Sequence, residues 1–371
     1  MMSGVFFIEE LRSKLASISY FNRFAERFDR LNSSARKDAD LIASIQCNLS
    51  KLMMHGENFT SLVEWTHTGT LSRLSISSCN LDAVDRSLAR TCFANAAPRG
   101  IVLIGDSLTR YQYLNLVYFL VHGVWSAEKS LPNENEHYFT GGWNQFYKIT
   151  NGRMGGREIC DCYREDAKNI VENRYFNDGE VRLSYRQAFG DTTPILMHDV
   201  ELLNVSSCGK SPCTQSLCLP GACSEEVLPV QNLGTLLQVG STQDLLDSYP
   251  ASLIFFNSGL WWQRGERNTY HDHRDHLVSE ALRFRSTTET RLHWKMTTAN
   301  RDPPMPPEFA FARSLVEAGA FDAVFDAWSL TAPIAQRPGG LMWDRSHFEA
   351  AVYEGLNRAL VAYVCSLPRG S

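Results

Sequence analysis

Positive charge is scarce in this chain. Its 36 lysines and arginines are outweighed by 41 aspartates and glutamates, for a net charge of -5. No lysine/arginine-rich run occurs, and basic residues do not interleave with aromatic ones. The basic face that a nucleic-acid partner requires is therefore missing. Long apolar runs are missing too. The longest uncharged stretch, Tyr111 to Ala127, is broken by Gln112, Asn115, His122 and Gly123. It falls short of the roughly 18 apolar residues that span a bilayer, so any membrane contact needs an anchor absent from this chain. Val5 to Ile8 is apolar, but Glu9, Glu10, Arg12 and Lys14 follow at once, too early for a signal peptide. There is no Gly-x-Ser-x-Gly, which excludes the nucleophile elbow of ordinary α/β-hydrolases. There is no Cys-x-x-Cys either, which removes the commonest zinc-knuckle spacing.

Cysteine itself is plentiful. Ten are present, and Cys208, Cys213, Cys218 and Cys223 fall at even steps in a Gly/Pro/Ser-rich stretch. Two disulfides in an exposed loop explain that set better than a metal. Cys160 and Cys162 stand too close to bridge one another comfortably, so each is expected to pair elsewhere. Four Asn-x-Ser/Thr sequons, at Asn32, Asn48, Asn58 and Asn204, accompany them. Together these favour an oxidising, glycosylating compartment of the secretory pathway. The lack of a leader stands against that reading unless the N-terminus is incomplete.

The hydrophobic pattern divides the chain. Residues 1 to 60 read as an N-terminal helical segment, with Phe6, Phe7, Leu11, Leu15, Phe21 and Phe24 near helical spacing. Residues 47 to 95 are short and irregular, and read as a loop-rich cap held by disulfides. From 61 to 371 a single larger domain is expected. Gly100-Ile-Val-Leu-Ile104, Ser252-Leu-Ile-Phe-Phe256, Arg291 to Met296 and Phe321 to Phe325 read as buried strands. Helical patterns over 242–246, 275–284, 307–318 and 346–365 separate or follow them. Strand and helix in alternation predict an α/β fold, a parallel sheet with helices on both faces. Residues 127 to 235 break the rhythm and read as a Cys-rich insertion, with a hairpin over 181–188.

Two motifs carry chemistry. Gly105-Asp106-Ser107-Leu108 sits between a buried strand and a helix. A tight turn there exposes a serine, and the helix N-terminus offers unpaired N–H groups and a favourable dipole for an oxyanion. The same tetrapeptide also serves as plain turn chemistry. Asp344-Arg345-Ser346-His347 precedes the final helix. A carboxylate three residues from a histidine orients its ring, and it equally caps a helix. The two motifs in one chain, serine early and pair late, favour catalysis by Ser107, His347 and Asp344. Asn257, just past a strand end, could donate a side-chain amide to the oxyanion or simply turn the chain. His271, Asp272, His273 and His276 suggest a metal, but their arginine-rich surroundings fit a solvated segment better. No metal is assigned.

At these residues the chain resembles the SGNH/GDSL superfamily, which pairs Gly-Asp-Ser-Leu with a late Asp-x-x-His. Gly105-Asp-Ser-Leu-Thr-Arg-Tyr-Gln112 is similar to its PC-esterase branch, which includes trichome-birefringence-like polysaccharide O-acetyltransferases and the luminal domain of sialic-acid O-acetyltransferases. Asn257-Ser-Gly-Leu-Trp-Trp262 and the Trp65, Cys79, Cys92 lead-in fit the same branch. The likeness covers residues 60 to 365. It departs at Leu260, where a histidine is usual, and at Phe348-Glu-Ala-Ala, where Trp-Cys-Leu-Pro is usual. It implies a three-layer α/β/α domain and transfer of an O-acyl group, acetyl above all, to a carbohydrate. An acetylesterase with the same triad, and an inactive SGNH-frame glycan-binding protein, are the alternatives. The implied roles are Ser107 as nucleophile, His347 as base and Asp344 as its orienter. Ser107 N–H, Asn257 and a glycine, Gly142 or Gly141, would form the oxyanion hole. Arg110 would order the site or meet the donor, and Trp261 and Trp262 would wall a sugar or pack as core. No cofactor is bound tightly; an acetyl donor such as acetyl-CoA would be a co-substrate.

Overall fold

Short apolar runs bounded by glycine, asparagine and aspartate form the strands of the sheet, and near-periodic stretches form the helices between them. The computed structural model describes residues 43, 47–54, 59–68, 71–77, 79–127, 130–132, 142–155, 157–164, 170–187, 251–257, 269–286, 288–300, 306–335, 337 and 341–369. Gln46–Ser371 forms one compact unit and Met1–Ile45 another. Leu49 and Met53 are fully buried in the larger unit, and Cys47 is bonded to Cys79. The helical expectation for the first 46 residues, and the cysteine set at 208–223, lie outside the described residues, apart from isolated position 43.

The described elements of the larger unit are α1 (Leu49–Met54), β1 (Val63–Thr68), β2 (Leu71–Ile76), α2 (Arg86–Ala96), β3 (Ile101–Gly105), α3 (Ser107–His122), α4 (Gly142–Arg153), β4 (Glu158–Arg164), β5 (Ile170–Asn177), β6 (Arg182–Gln187), β7 (Leu253–Phe256), α5 (Thr269–Arg285), β8 (Arg291–Lys295), α6 (Pro306–Glu317), β9 (Ala323–Phe325), α7 (Ala327–Ala335) and α8 (Ala350–Cys365). β1 and β2 form an antiparallel pair. The other strands make one sheet in the order β4-β5-β6-β3-β7-β8-β9. β6, β3, β7, β8 and β9 run parallel, and β4 and β5 extend one edge as an antiparallel pair.

β3 comes first in sequence among the parallel strands but lies inside the sheet, between β6 and β7. The strand order therefore reverses at β3. In open α/β sheets the crevice at the carboxyl ends of such strands is where ligands bind.

Both faces of the sheet are covered. Alternate side chains point to opposite sides of a strand. Ile104, Phe256 and Trp294 pack with Leu277 of α5 and Leu315 of α6. Phe255, His293 and Phe325 instead meet Tyr363 of α8, with ring centroids 5.9, 5.6 and 5.3 Å apart. Burial on both faces explains why β3 and β7 read as continuous apolar runs rather than alternating ones. The α/β arrangement expected from the pattern is present.

Three local expectations change. The 181–188 segment is not an appendage of an insertion: β6 pairs in parallel with β3 and belongs to the main sheet. Its polar residues Ser184, Arg186 and Gln187 disguise a strand buried along nearly its whole length. The 47–95 segment holds a hairpin and an eleven-residue helix, α2, capped by Asp85, whose side chain accepts from Leu88 N–H. Trp65 of that hairpin donates its indole N–H to Leu330 O at 2.7 Å. Cys160 and Cys162 are bonded to each other, with Cα atoms 5.2 Å apart. Residues i and i+2 of a strand share a face, so their side chains lie on the same side. The third disulfide, Cys92–Cys365, ties α2 to the last residue of α8. The three bridges fit an oxidising compartment.

Because Cys92–Cys365 closes most of the chain into one loop, breaking it should cost about 2–4 kcal/mol. Urea unfolding of Cys92→Ala/Cys365→Ala against wild type checks this. Equal midpoints would show that α8 stays docked without the bridge.

Candidate active site

Gly105 ends β3, and Asp106 starts α3 by accepting the Leu108 N–H at 3.0 Å. A strand that turns this abruptly into a helix must bring the two backbones close. At Gly105 an added Cβ would lie 2.4 Å from Thr109 Oγ1, so only glycine fits. From the next strand, Tyr185 Oη lies 3.1 Å from both Gly105 O and Asp106 O, within reach to donate to either. Ser107 is thus presented at the first helical position, 8% exposed, with its N–H outside the intrahelical ladder.

The partner loop arrives from the other end of the chain. Trp343 N–H donates to His347 O at 3.2 Å, and Met342 bridges Phe348, closing a tight loop ahead of α8. This loop explains why α8 starts at Ala350 rather than Ser346. Inside it, Asp344 Oδ1 accepts the N–H groups of Ser346 and His347 at 2.6 and 2.7 Å. Its Oδ2 lies 2.6 Å from His347 Nδ1. His347 Nε2 lies 2.7 Å from Ser107 Oγ. Asp344, His347 and Ser107 therefore form one continuous hydrogen-bonded chain.

The imidazole is clamped by aromatics. Trp343 stacks on it, with centroids 4.6 Å apart and planes 11° off parallel. Tyr111 meets both rings edge-on. Burial pushes the Asp344 carboxyl up. The hydrogen bond and charge of His347, with the two backbone donors, outweigh burial and hold it down at about 2.

A second polar group lies behind the nucleophile. Lys295 is fully buried, its Nζ 3.4 Å from Thr109 Oγ1. Burial pushes its amine down to about 8, against the attraction of Asp106 and Glu308. Burial likewise pushes Glu308 up to about 7, opposed by donors from Thr297 and Trp294.

The other expected residues fall out as follows. Asn257 is buried at the end of β7, but its amide donates to Lys295 O at 2.8 Å and Thr297 Oγ1 at 3.1 Å. Both amide hydrogens are therefore committed away from an oxyanion. Gly142 opens α4 at an exposed position with nothing within 4 Å of an added Cβ. Arg110 is 1% exposed. It pairs with Glu172 at 3.2 Å, which pairs with Arg174 at 2.7 Å, which pairs with Glu158 at 2.9 Å. Its guanidinium also lies over the rings of Tyr111, Trp143 and Phe146. Gly141, Trp261 and Trp262 lie outside the described residues, as do the side chains of His271, Asp272, His273 and His276.

Sequence reasoning overlooked Trp343, Tyr111, Tyr185, Lys295 and Glu308. Trp343 adjoins Asp344 and Tyr111 lies one turn from Ser107, so proximity to the motifs was an available signal. A small, open cleft runs beside Trp343 and Tyr111, walled also by Phe348, Tyr353, Leu131 and Pro132.

The chain is an α/β protein that carries a Ser-His-Asp hydrogen-bond chain at the reversal point of its sheet. No family model, characterised protein or solved structure matches it.

Two measurements test these contacts. Arg110→Met leaves Glu172 without one of its two buried cationic partners and should destabilise the fold by about 3–5 kcal/mol. A urea midpoint equal to wild type would contradict it. The Asp344 carboxyl is depressed from an ordinary value of about 3.9. Its contribution is complete above about pH 4 and is lost as pH falls towards 2. Over that window wild type should lose urea stability more steeply than Asp344→Asn. Parallel slopes would remove Asp344 as the source.

Proposed function

We propose that this protein is a serine-dependent O-acyl enzyme of the SGNH type. The observation that carries the reading is the unbroken chain from Asp344 through His347 to Ser107. A helix cap needs only the Asp344–backbone bonds. It does not need His347 Nε2 at 2.7 Å from a serine 240 residues away.

In this reading Ser107 Oγ attacks the carbonyl carbon of an acyl donor while His347 Nε2 takes the serine proton. Asp344 holds the ring through Nδ1 and stabilises the imidazolium. The tetrahedral intermediate collapses as His347 returns the proton to the leaving group, which leaves an acyl-serine. An acceptor hydroxyl then gives its proton to His347 and takes the acyl group, and His347 passes that proton to Ser107 Oγ as the acyl–serine bond breaks. If the acceptor is water, the enzyme is an esterase; if it is a sugar hydroxyl, a transferase. The two share every catalytic residue.

The likeness of the Gly105–Gln112 and Asp344–His347 strings to the PC-esterase branch supports transfer of acetyl to a carbohydrate, with acetyl-CoA or a similar donor as co-substrate. The aromatic rings of Trp343 and Tyr111 beside His347 support a sugar acceptor, since such rings suit the apolar face of a sugar. Disulfides and the exposed sequon at Asn48 support a secretory-pathway location. The connected triad favours an enzyme over an inactive glycan-binding frame.

Incubation with a fluorogenic acetyl ester, with and without oligosaccharide acceptors, tests the reading. Ser107→Ala should lower kcat by roughly 10³-fold or more. Acetylated oligosaccharide supports the transferase and free acetate alone the esterase. Turnover that survives Ser107→Ala would refute both.

A further inference from the structure

An acyl-serine reaction passes through an oxyanion, which needs more than one preorganised donor. Ser107 N–H is one. Asn257 is spent on Lys295 O and Thr297 Oγ1. The site as described is a donor short.

β6 runs beside β3 in parallel, and Gln187 is the register partner of Gly105. Gln187 therefore ends its strand at the edge where Ser107 is presented. Residues 185 and 187 share a face of the strand. On that face Tyr185 Oη reaches Gly105 O and Asp106 O, so it lies against the backbone of the nucleophile turn. Gln187 stands one pleat further towards the open edge. It is 8% exposed, and neither its Nε2 nor its Oε1 has a partner among the described residues. A buried amide left unpaired costs about 1–3 kcal/mol. Such a group in a folded protein calls for an explanation, and a catalytic role is one that accounts for it.

We propose that Gln187 is a catalytic residue that donates an Nε2 hydrogen to the acyl carbonyl oxygen as it becomes an oxyanion, beside the Ser107 N–H. The inference rests on the acyl-enzyme reading above. It makes or breaks no covalent bond, since the amide only supplies a hydrogen bond that strengthens as negative charge develops. It also accounts for the missing partner: the acceptor exists only when substrate is bound.

Gln187→Leu and the volume-matched Gln187→Met test it with the fluorogenic acetyl ester and thermal unfolding. Removing one oxyanion donor should lower kcat about 10²–10³-fold and leave KM within a few-fold. The thermal midpoint should hold or rise, because an unpaired buried amide has been removed. A purely structural glutamine would show the reverse, a lowered midpoint with little change in the kcat of the folded fraction. Wild-type kcat in either variant, or a loss of activity that tracks a lowered midpoint in both, overturns the proposal. The wild type separates the two levels of inference. If it shows no Ser107-dependent turnover, the acyl-enzyme reading falls and this donor with it. If it turns over and the Gln187 variants match it, only this donor falls.

Discussion

The step from Gly105 to Ser107 is gripped on several sides. Thr109 closes over Gly105, Asp106 caps the helix it begins, and Tyr185 reaches both carbonyls of the turn. The placement of the nucleophile depends on this grip, because Ser107 has no freedom to swing once Gly105 is pinned at the switch point of the sheet. The triad then needs only one more arrangement: the loop before α8 must reach that edge. It does so because α8 packs against α3 and is stapled to α2 by Cys92–Cys365.

Buried charge surrounds that turn on two sides. The ladder Arg110–Glu172–Arg174–Glu158 joins the nucleophile helix to the antiparallel edge of the sheet. Such a ladder adds little net stability, since desolvation offsets attraction. Its geometric demand is strict, however, because each charge must meet its partner or remain uncompensated. On the other side Lys295 and Glu308 lie behind Thr109 and Thr297, with their pKa values pushed towards one another by burial. Together they tie the C-terminal ends of the strands to the helix that carries Ser107.

The site divides into groups that are satisfied and groups that are not. Asp344 has three hydrogen-bonded contacts within its own loop, and Asn257 has used both its amide hydrogens, though its Oδ1 has no partner among the described residues. Gln187 has used neither end of its amide among the described residues. In an active site, a group still open to a partner is the one placed to bind something that comes and goes.

Ser107, His347 and Asp344 were legible from local spacing alone, because a strand-turn-helix junction and a three-residue carboxylate–histidine step are short-range features. β3, β7 and β9, with the helices around them, were legible for the same reason: burial on both faces writes itself into continuous apolar runs. β6 was not. It carries Arg186 and Gln187 in the interior, and a strand whose buried side chains are polar leaves no hydrophobic signal. The roles of Arg110, Asn257 and the Cys160–Cys162 pair were likewise settled only by the tertiary structure. Each depends on what stands across the sheet or beside the strand: Glu172 for Arg110, Lys295 O for Asn257, and a shared strand face for the two cysteines. Periodicity reports which face of an element is buried. Pairing between elements far apart in sequence is decided by packing, and no local pattern encodes it.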